Sequence, residues 1–231
     1  MSELKRHDLF ITSVWTQKIA GFEDINKRLL KNIFSKDIPL FSSANTYGGT
    51  EATLQYDESL REILDIAEEL AMDIAKFMGV LKENERSPHI SCFWGNINKE
   101  KEFNPPHVHP ASDLSGAYYV KIPVSTETTE DQETASGKIC FHDTRLEKCV
   151  STPFYEENLG YLDLANYSFP KGSAHNPWLD NVAKFKPEEG MMAIFPSWLL
   201  HYVEPNLCKE DSIAFSFNIS FLWSLRLHME A

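Results

Sequence analysis

The sequence predicts an α+β protein, mainly β, with N-terminal helices packed on one face of a β-barrel. Two features carry this reading. Between Leu60 and Met78 the apolar residues recur with a 3.6-residue period. Beyond Pro88 the chain breaks into short β-rich runs separated by Gly, Pro and Asn. A length of 231 residues suits one barrel-sized unit, so a single domain over 1–231 is expected, with 1–87 as a helical buttress and 88–231 as the β core.

Taken in order, the chain opens with an expected strand at Asp8 to Trp15 and a helix around Phe22 to Phe34. A loop containing Gly48 and Gly49 leads to the clearest helix. Its face is Leu60, Ile63, Leu64, Ala67, Leu70, Ala71, Ile74 and Phe77, with acidic residues opposite and Gly79 as the stop. Strands are expected at His89 to Asn96, Leu114 to Ile122, Gly137 to His142, Met191 to Phe195 and Ile213 to Trp223. Ser125 to Ser136 reads as an exposed hairpin loop and Asn158 to Lys186 as a long irregular insertion.

The formal charge is −12, from 34 acidic and 22 basic residues. That field repels phosphate backbones, and no basic stripe exists, so nucleic acid is not an expected partner. Cys92, Cys140, Cys149 and Cys208 form no CxxC pair or regular framework. Buried, reduced thiols are expected, hence a cytoplasmic location. Met1 to Asp8 lacks the apolar core of a signal peptide, and no apolar run approaches the roughly 20 residues that span a bilayer. No membrane partner is expected, and a homodimer is compatible with the sequence.

The chemistry concentrates in two segments. Asn104-Pro105-Pro106-His107-Val108-His109-Pro110 places two imidazoles at i and i+2. In a strand these share a face with Cα atoms roughly 6.5–7 Å apart, close enough to converge on one ion. The prolines keep this segment out of a central ladder, so it is expected at a barrel mouth. The second segment runs from the turn Pro187-Glu188-Glu189-Gly190 through the apolar Met191 to Phe195 and on to His201. A histidine there can close a first shell opened by the pair.

Together these segments resemble a family of 2-oxoglutarate- and Fe(II)-dependent oxygenases found in bacteria and their phages. The matching blocks are Cys92-Phe93-Trp94-Gly95-Asn96 within Ile90 to Ile97, then His107-Val108-His109-Pro110, then Leu114-Ser115-Gly116-Ala117-Tyr118-Tyr119-Val120. Gly137-Lys138-Ile139-Cys140-Phe141-His142-Asp143, Phe195-Pro196-Ser197-Trp198 to His201, and Ser216-Phe217-Asn218-Ile219 follow. With Leu9-Phe10 and Val14-Trp15 the resemblance covers most of the chain. It implies a double-stranded β-helix (jelly-roll, cupin-like) barrel and Fe(II), with 2-oxoglutarate as cosubstrate and molecular oxygen as co-reactant. The substrate is left open between a small metabolite and a peptide side chain.

The sequence departs from that family pattern twice. Most such oxygenases use His-x-Asp or His-x-Glu with a distal His; here His109 holds the carboxylate position, so the expected metal ligands are His107, His109 and His201. A second frame starts at His109, sets Ala111 where the carboxylate belongs and removes His107 from the ligand set, with Asp113 as the nearest carboxylate. Relatives also place an Arg after the distal histidine against the far carboxylate of 2-oxoglutarate. Here Ser212 occupies that position, and no Arg lies between His201 and Asn218. Lys121 is the first replacement and Arg145 the second; Tyr119 and Asn218 complete the expected cosubstrate-binding set, and no catalytic residue beyond the metal ligands is expected.

Trp94 and Trp198 with Tyr119 are either pocket lining or core. His142-Asp143 reads as a surface pair or a support to the ligands, and His175 as part of a lid. The competing readings are a three-histidine dioxygenase or cupin-type enzyme that does not use 2-oxoglutarate, and a non-catalytic metal-binding or sensor module on the same barrel.

Overall fold

The computed structural model describes residues 11–33, 40–42, 50–52, 58–79, 86–123, 137–143 and 182–223. Two helices, α1 (Phe22–Ile33) and α2 (Glu58–Phe77), accompany eleven strands. The strands are β1 (Trp15–Lys18), β2 (Leu40–Ser42), β3 (Thr50–Ala52), β4 (Arg86–Asn98), β5 (Asn104–His107) and β6 (Leu114–Lys121). They continue as β7 (Ile139–His142), β8 (Val182–Phe185), β9 (Met191–Pro196), β10 (His201–Val203) and β11 (Ser212–Trp223). A seven-stranded sheet runs β1-β9-β6-β11-β4-β3-β2 and a four-stranded sheet β5-β10-β7-β8.

Strand alternation divides the core in two. On one face of the large sheet Tyr118, Val120, Met192, Ile194, Ile213, Phe215, Phe217 and Ile219 pack against Ile25, Leu29 and the apolar stripe of α2. On the other face Ala117, Tyr119, Ala193 and Phe195 meet Ile139 and Phe141 of the small sheet. Covered on both sides, β6 is buried from Leu114 to Val120.

One buried polar clamp holds α1 on the sheet. Asn26 donates to the Val120 carbonyl at 2.7 Å and accepts from the Tyr118 hydroxyl at 2.6 Å. Gly190, at φ +78°, leaves the space into which Phe22 packs, and a Cβ there would collide with that ring. Gly116 is equally constrained, because a Cβ would strike the Phe217 ring across the β6–β11 pair.

The helices stand where the period places them, and Gly79 at φ +67° ends α2. Phe77 departs from its expected burial: the last helical residue is 82% exposed. The described N-terminal strand is Trp15–Lys18, set by its pairing with Met191 to Ile194, so only Trp15 of the expected Asp8 to Trp15 strand is in it. The segment 1–87 is also more than a helical buttress, since β1, β2 and β3 extend both edges of the large sheet. The expected hairpin loop Ser125 to Ser136 lies outside the described residues, and the end of the expected irregular insertion is the strand β8. Cys140 and Cys208 are buried as expected, whereas Cys92 is exposed; Cys149 lies outside the described residues. Among the described residues no helix is long and apolar enough to cross a membrane.

Candidate metal centre

His107 is the last residue of β5 and His201 the first of β10, and the two are direct Cα partners in the small sheet. Partners in an antiparallel pair project their side chains to the same face. β5 is an edge strand, the position its prolines require. His109 arrives differently from the sequence expectation. It lies beyond the end of β5, so the pleat does not aim it; its backbone N–H donates to the Ser197 carbonyl at 2.9 Å. Ser197 also hydrogen-bonds the Ser112 carbonyl through its hydroxyl, and Ala111 turns the chain at φ 67°. The loop is thereby pinned to the β9–β10 connection.

The three rings converge. Centroids are 4.4 Å apart for His107 and His201, 5.0 Å for His107 and His109, and 5.1 Å for His109 and His201. One nitrogen from each lies within 4.8 Å of the others. The Nδ1 of His107 is 2.6 Å from the Pro105 carbonyl and that of His201 2.8 Å from the Leu199 carbonyl. A carbonyl only accepts, so Nδ1 carries the proton in both rings and the lone pair sits on Nε2, the arrangement a metal requires. Burial, reinforced by His107, lowers the pKa of His109 to about 4 and that of His201 to about 3. Both rings are therefore neutral donors near pH 7.

Apolar neighbours fix the ring planes. Phe195 meets His201 edge-on at 4.7 Å, Phe141 lies 6.1 Å from it, and Trp94 lies 5.6 Å from His109. The pocket these groups border continues between the two sheets along Asn96, Asn98, Tyr119, Ser212, Ala214 and Ser216. Buried polar atoms on its wall, the Tyr119 hydroxyl and the Oδ1 atoms of Asn96 and Asn98, have no hydrogen-bond partner among the described residues. Three imidazole nitrogens beside buried oxygens with no partner among the described residues form a donor set that fits a divalent cation and a polar chelating ligand.

The other expected site residues divide. Tyr119 and Trp94 line the pocket, as does Ser212, which stands where relatives carry Arg. Lys121 is not brought there. A register shift in β11 between Ile213 and Ala214 sets Lys121 opposite Ile213, a residue of the helix-facing core, and its ammonium pairs with Glu210 at 3.3 Å. Asn218 lies outside the pocket lining and accepts a hydrogen bond from the Ser115 hydroxyl at 2.9 Å.

Asp113 accepts from the Phe221 backbone N–H at 2.8 Å, so its carboxylate serves β11. Trp198 is 54% exposed, and His142 packs on Tyr202 at 5.3 Å, both outside the pocket lining. Arg145 and His175 lie outside the described residues. Sequence reasoning passed over Asn96, Asn98 and Ser216 as lining. The signal was Asn at i and i+2 after the apolar Phe93-Trp94-Gly95 of β4, a pattern that demands buried partners.

Two antiparallel sheets with three imidazoles gathered at the pocket between them are the architecture of the double-stranded β-helix class. The chain belongs to the 2OG-Fe(II) oxygenases: the family described as "Putative 2OG-Fe(II) oxygenase" matches residues 92–218, more than half its length. It is accordingly an enzyme whose cofactor is Fe(II) and whose cosubstrate is 2-oxoglutarate.

Solved structures share the fold at low identity. A Pseudomonas putida prolyl-4-hydroxylase is 9% identical with a TM-score of 0.56, over 92% of this chain and 95% of that one. HygX from Streptomyces hygroscopicus, with nickel and 2-oxoglutarate bound, is 11% identical with a TM-score of 0.55, over 94% and 87%. A Trichoplax adhaerens prolyl hydroxylase, in complex with a hypoxia inducible factor peptide fragment, is 11% identical with a TM-score of 0.55, over 90% and 83%. No curated protein matches the sequence.

Proposed function

We propose that His107, His109 and His201 hold the Fe(II) of this oxygenase and that it hydroxylates a small metabolite or a peptide side chain. The observation that carries the ligand assignment is the convergence of three imidazoles, two of them locked by backbone carbonyls with Nε2 as the ligating atom. When bound, Fe(II) and 2-oxoglutarate would supply the oxidising chemistry, with molecular oxygen as co-reactant. The chain's own residues do the rest. The Pro105 and Leu199 carbonyls orient two rings, the Ser197 carbonyl fixes the loop that carries the third, and burial keeps His109 and His201 unprotonated. Phe141, Phe195 and Trp94 wall the rings from water, and Tyr119 offers a hydroxyl to the cosubstrate.

Neighbouring folds support this reading: nickel and 2-oxoglutarate occupy HygX, which supports the metal and cosubstrate, and a peptide lies in the Trichoplax enzyme, which supports a peptide substrate. The charge of −12 supports a substrate other than nucleic acid, and the buried thiols of Cys140 and Cys208 support a reducing, cytoplasmic setting. The test is to purify the protein without oxygen, load Fe(II), and measure succinate release on adding 2-oxoglutarate, oxygen and a metabolite or peptide library. About one iron per chain with substrate-stimulated succinate is expected. Stoichiometric iron retained by the His201→Ala protein would overturn the ligand assignment.

A further inference from the structure

Beside the histidines, the wall of the large sheet meets the pocket with neutral groups only. Trp94, next to His109, is followed along β4 by Asn96 and Asn98, and all three line the pocket. Asn96 and Tyr119 both stand opposite Ala214, so amide, methyl and phenol form one rung across β4, β11 and β6. Ser212 opposite Asn98 begins the next rung. Two residues along a strand advance roughly 6.5–7 Å, comparable with the length of a five-carbon keto acid. The lining formed by the described residues contains no Lys or Arg, and Lys121 is engaged with Glu210. Tyr119 is 4% exposed and Asn98 6% exposed, and each has an oxygen without a partner among the described residues, as does Asn96.

We infer that the far end of the 2-oxo acid is held by a neutral cradle of Tyr119, Asn96 and Asn98, which therefore takes the carboxamide analogue, 2-oxoglutaramate, nearly as well as 2-oxoglutarate. The inference rests on the reading of the site as a 2-oxo-acid-dependent iron centre. The phenol donates to either a carboxylate or an amide carbonyl oxygen. The two Asn oxygens accept from an amide N–H. Asn96 donates its Nδ2 to the Ser216 hydroxyl at 2.7 Å. That hydroxyl can itself donate, so the Asn96 amide can turn and offer its N–H to a carboxylate, whereas Asn98, whose Nδ2 donates to the Asn104 Oδ1 at 2.9 Å, serves the amide only. An Arg in the place of Ser212 would separate the two acids sharply through a charge-assisted bidentate pair; neutral donors do not.

Anaerobic calorimetric titration of both acids into the Fe(II)-loaded protein tests this. Affinities within about tenfold of each other are expected. Tyr119→Phe should weaken both by roughly tenfold, the loss of one hydrogen bond. It should leave the melting temperature without keto acid undiminished, because the hydroxyl has no partner among the described residues to lose. Ser212→Arg should favour 2-oxoglutarate by at least about tenfold. A wild-type preference for 2-oxoglutarate above about a hundredfold overturns the neutral cradle and leaves the oxygenase reading standing. Failure of both acids to bind the iron-loaded protein overturns both.

Discussion

His107 and His201 face each other across the β5–β10 pair as direct register partners, with ring centroids 4.4 Å apart. Two of the three imidazoles are thus set by backbone hydrogen bonding between strands, and only His109 depends on a loop.

That difference yields the first prediction. His107→Ala and His201→Ala should each abolish stoichiometric iron binding while the protein stays folded, as measured by anaerobic iron titration. Ala111→Asp should not restore iron to the His107→Ala protein, because Ala111 lies outside the pocket lining in a turn at φ 67°. Clear one-to-one iron binding by the His107→Ala protein would return the ligand set to the frame that begins at His109.

Acid should destabilise the metal-free protein. His109 and His201 are held at about 4 and about 3, below the ordinary imidazole value of 6.5, chiefly by burial. Between those values the unfolded chain binds more protons, so stability is full above about pH 6.5 and falls as pH drops, by up to about 1.4 kcal/mol per unit for each ring. Urea unfolding at pH 7.5 and pH 5 should show the loss, and a His109→Gln protein should show less of it. A flat profile would mean that the rings titrate normally.

Asn26→Ala should cost about 1–3 kcal/mol in chemical denaturation, because it leaves the Tyr118 hydroxyl and the Val120 carbonyl buried without their partner. Asn26→Ala combined with Tyr118→Phe should cost less than the sum, since one stranded group is removed with its partner. Strict additivity would place the effect elsewhere in α1.

Lys121→Ala should leave the affinity for 2-oxoglutarate within about twofold. Its ammonium serves a partly exposed pair with Glu210, an interaction worth at most about 1 kcal/mol. A tenfold or larger loss in calorimetry would restore Lys121 as the anchor expected from the sequence.

The helices, the long strands and the three histidines were legible because each leaves a local mark. α2 has its period and Gly79, β6 and β11 have long apolar runs, and the histidines stand in a recognisable order. The short strands β2, β3, β8 and β10 exist only through their partners, and three or four residues carry no period. The position of Lys121 depends on its partner strand in the same way. Its distance from Tyr119 implies a shared face, and only the register shift opposite Ile213 and Ala214 reverses that. His109 lies beside His107 and His201 through a hydrogen bond to Ser197 that a reading of spacing alone does not reveal.

The position of β11 bears on how the molecule is made. It is the last described strand, yet it lies in the middle of the large sheet between β6 and β4, which do not pair with each other. Until residues 212–223 leave the ribosome, both neighbours expose an unsatisfied edge, and the pocket wall that carries Tyr119 and Asn96 has no centre. Closure of the sheet is thus a late event of long sequence separation, which slows folding and exposes strand edges meanwhile. Iron can therefore meet a complete pocket wall only after residues 212–223 have been made and have paired between β6 and β4.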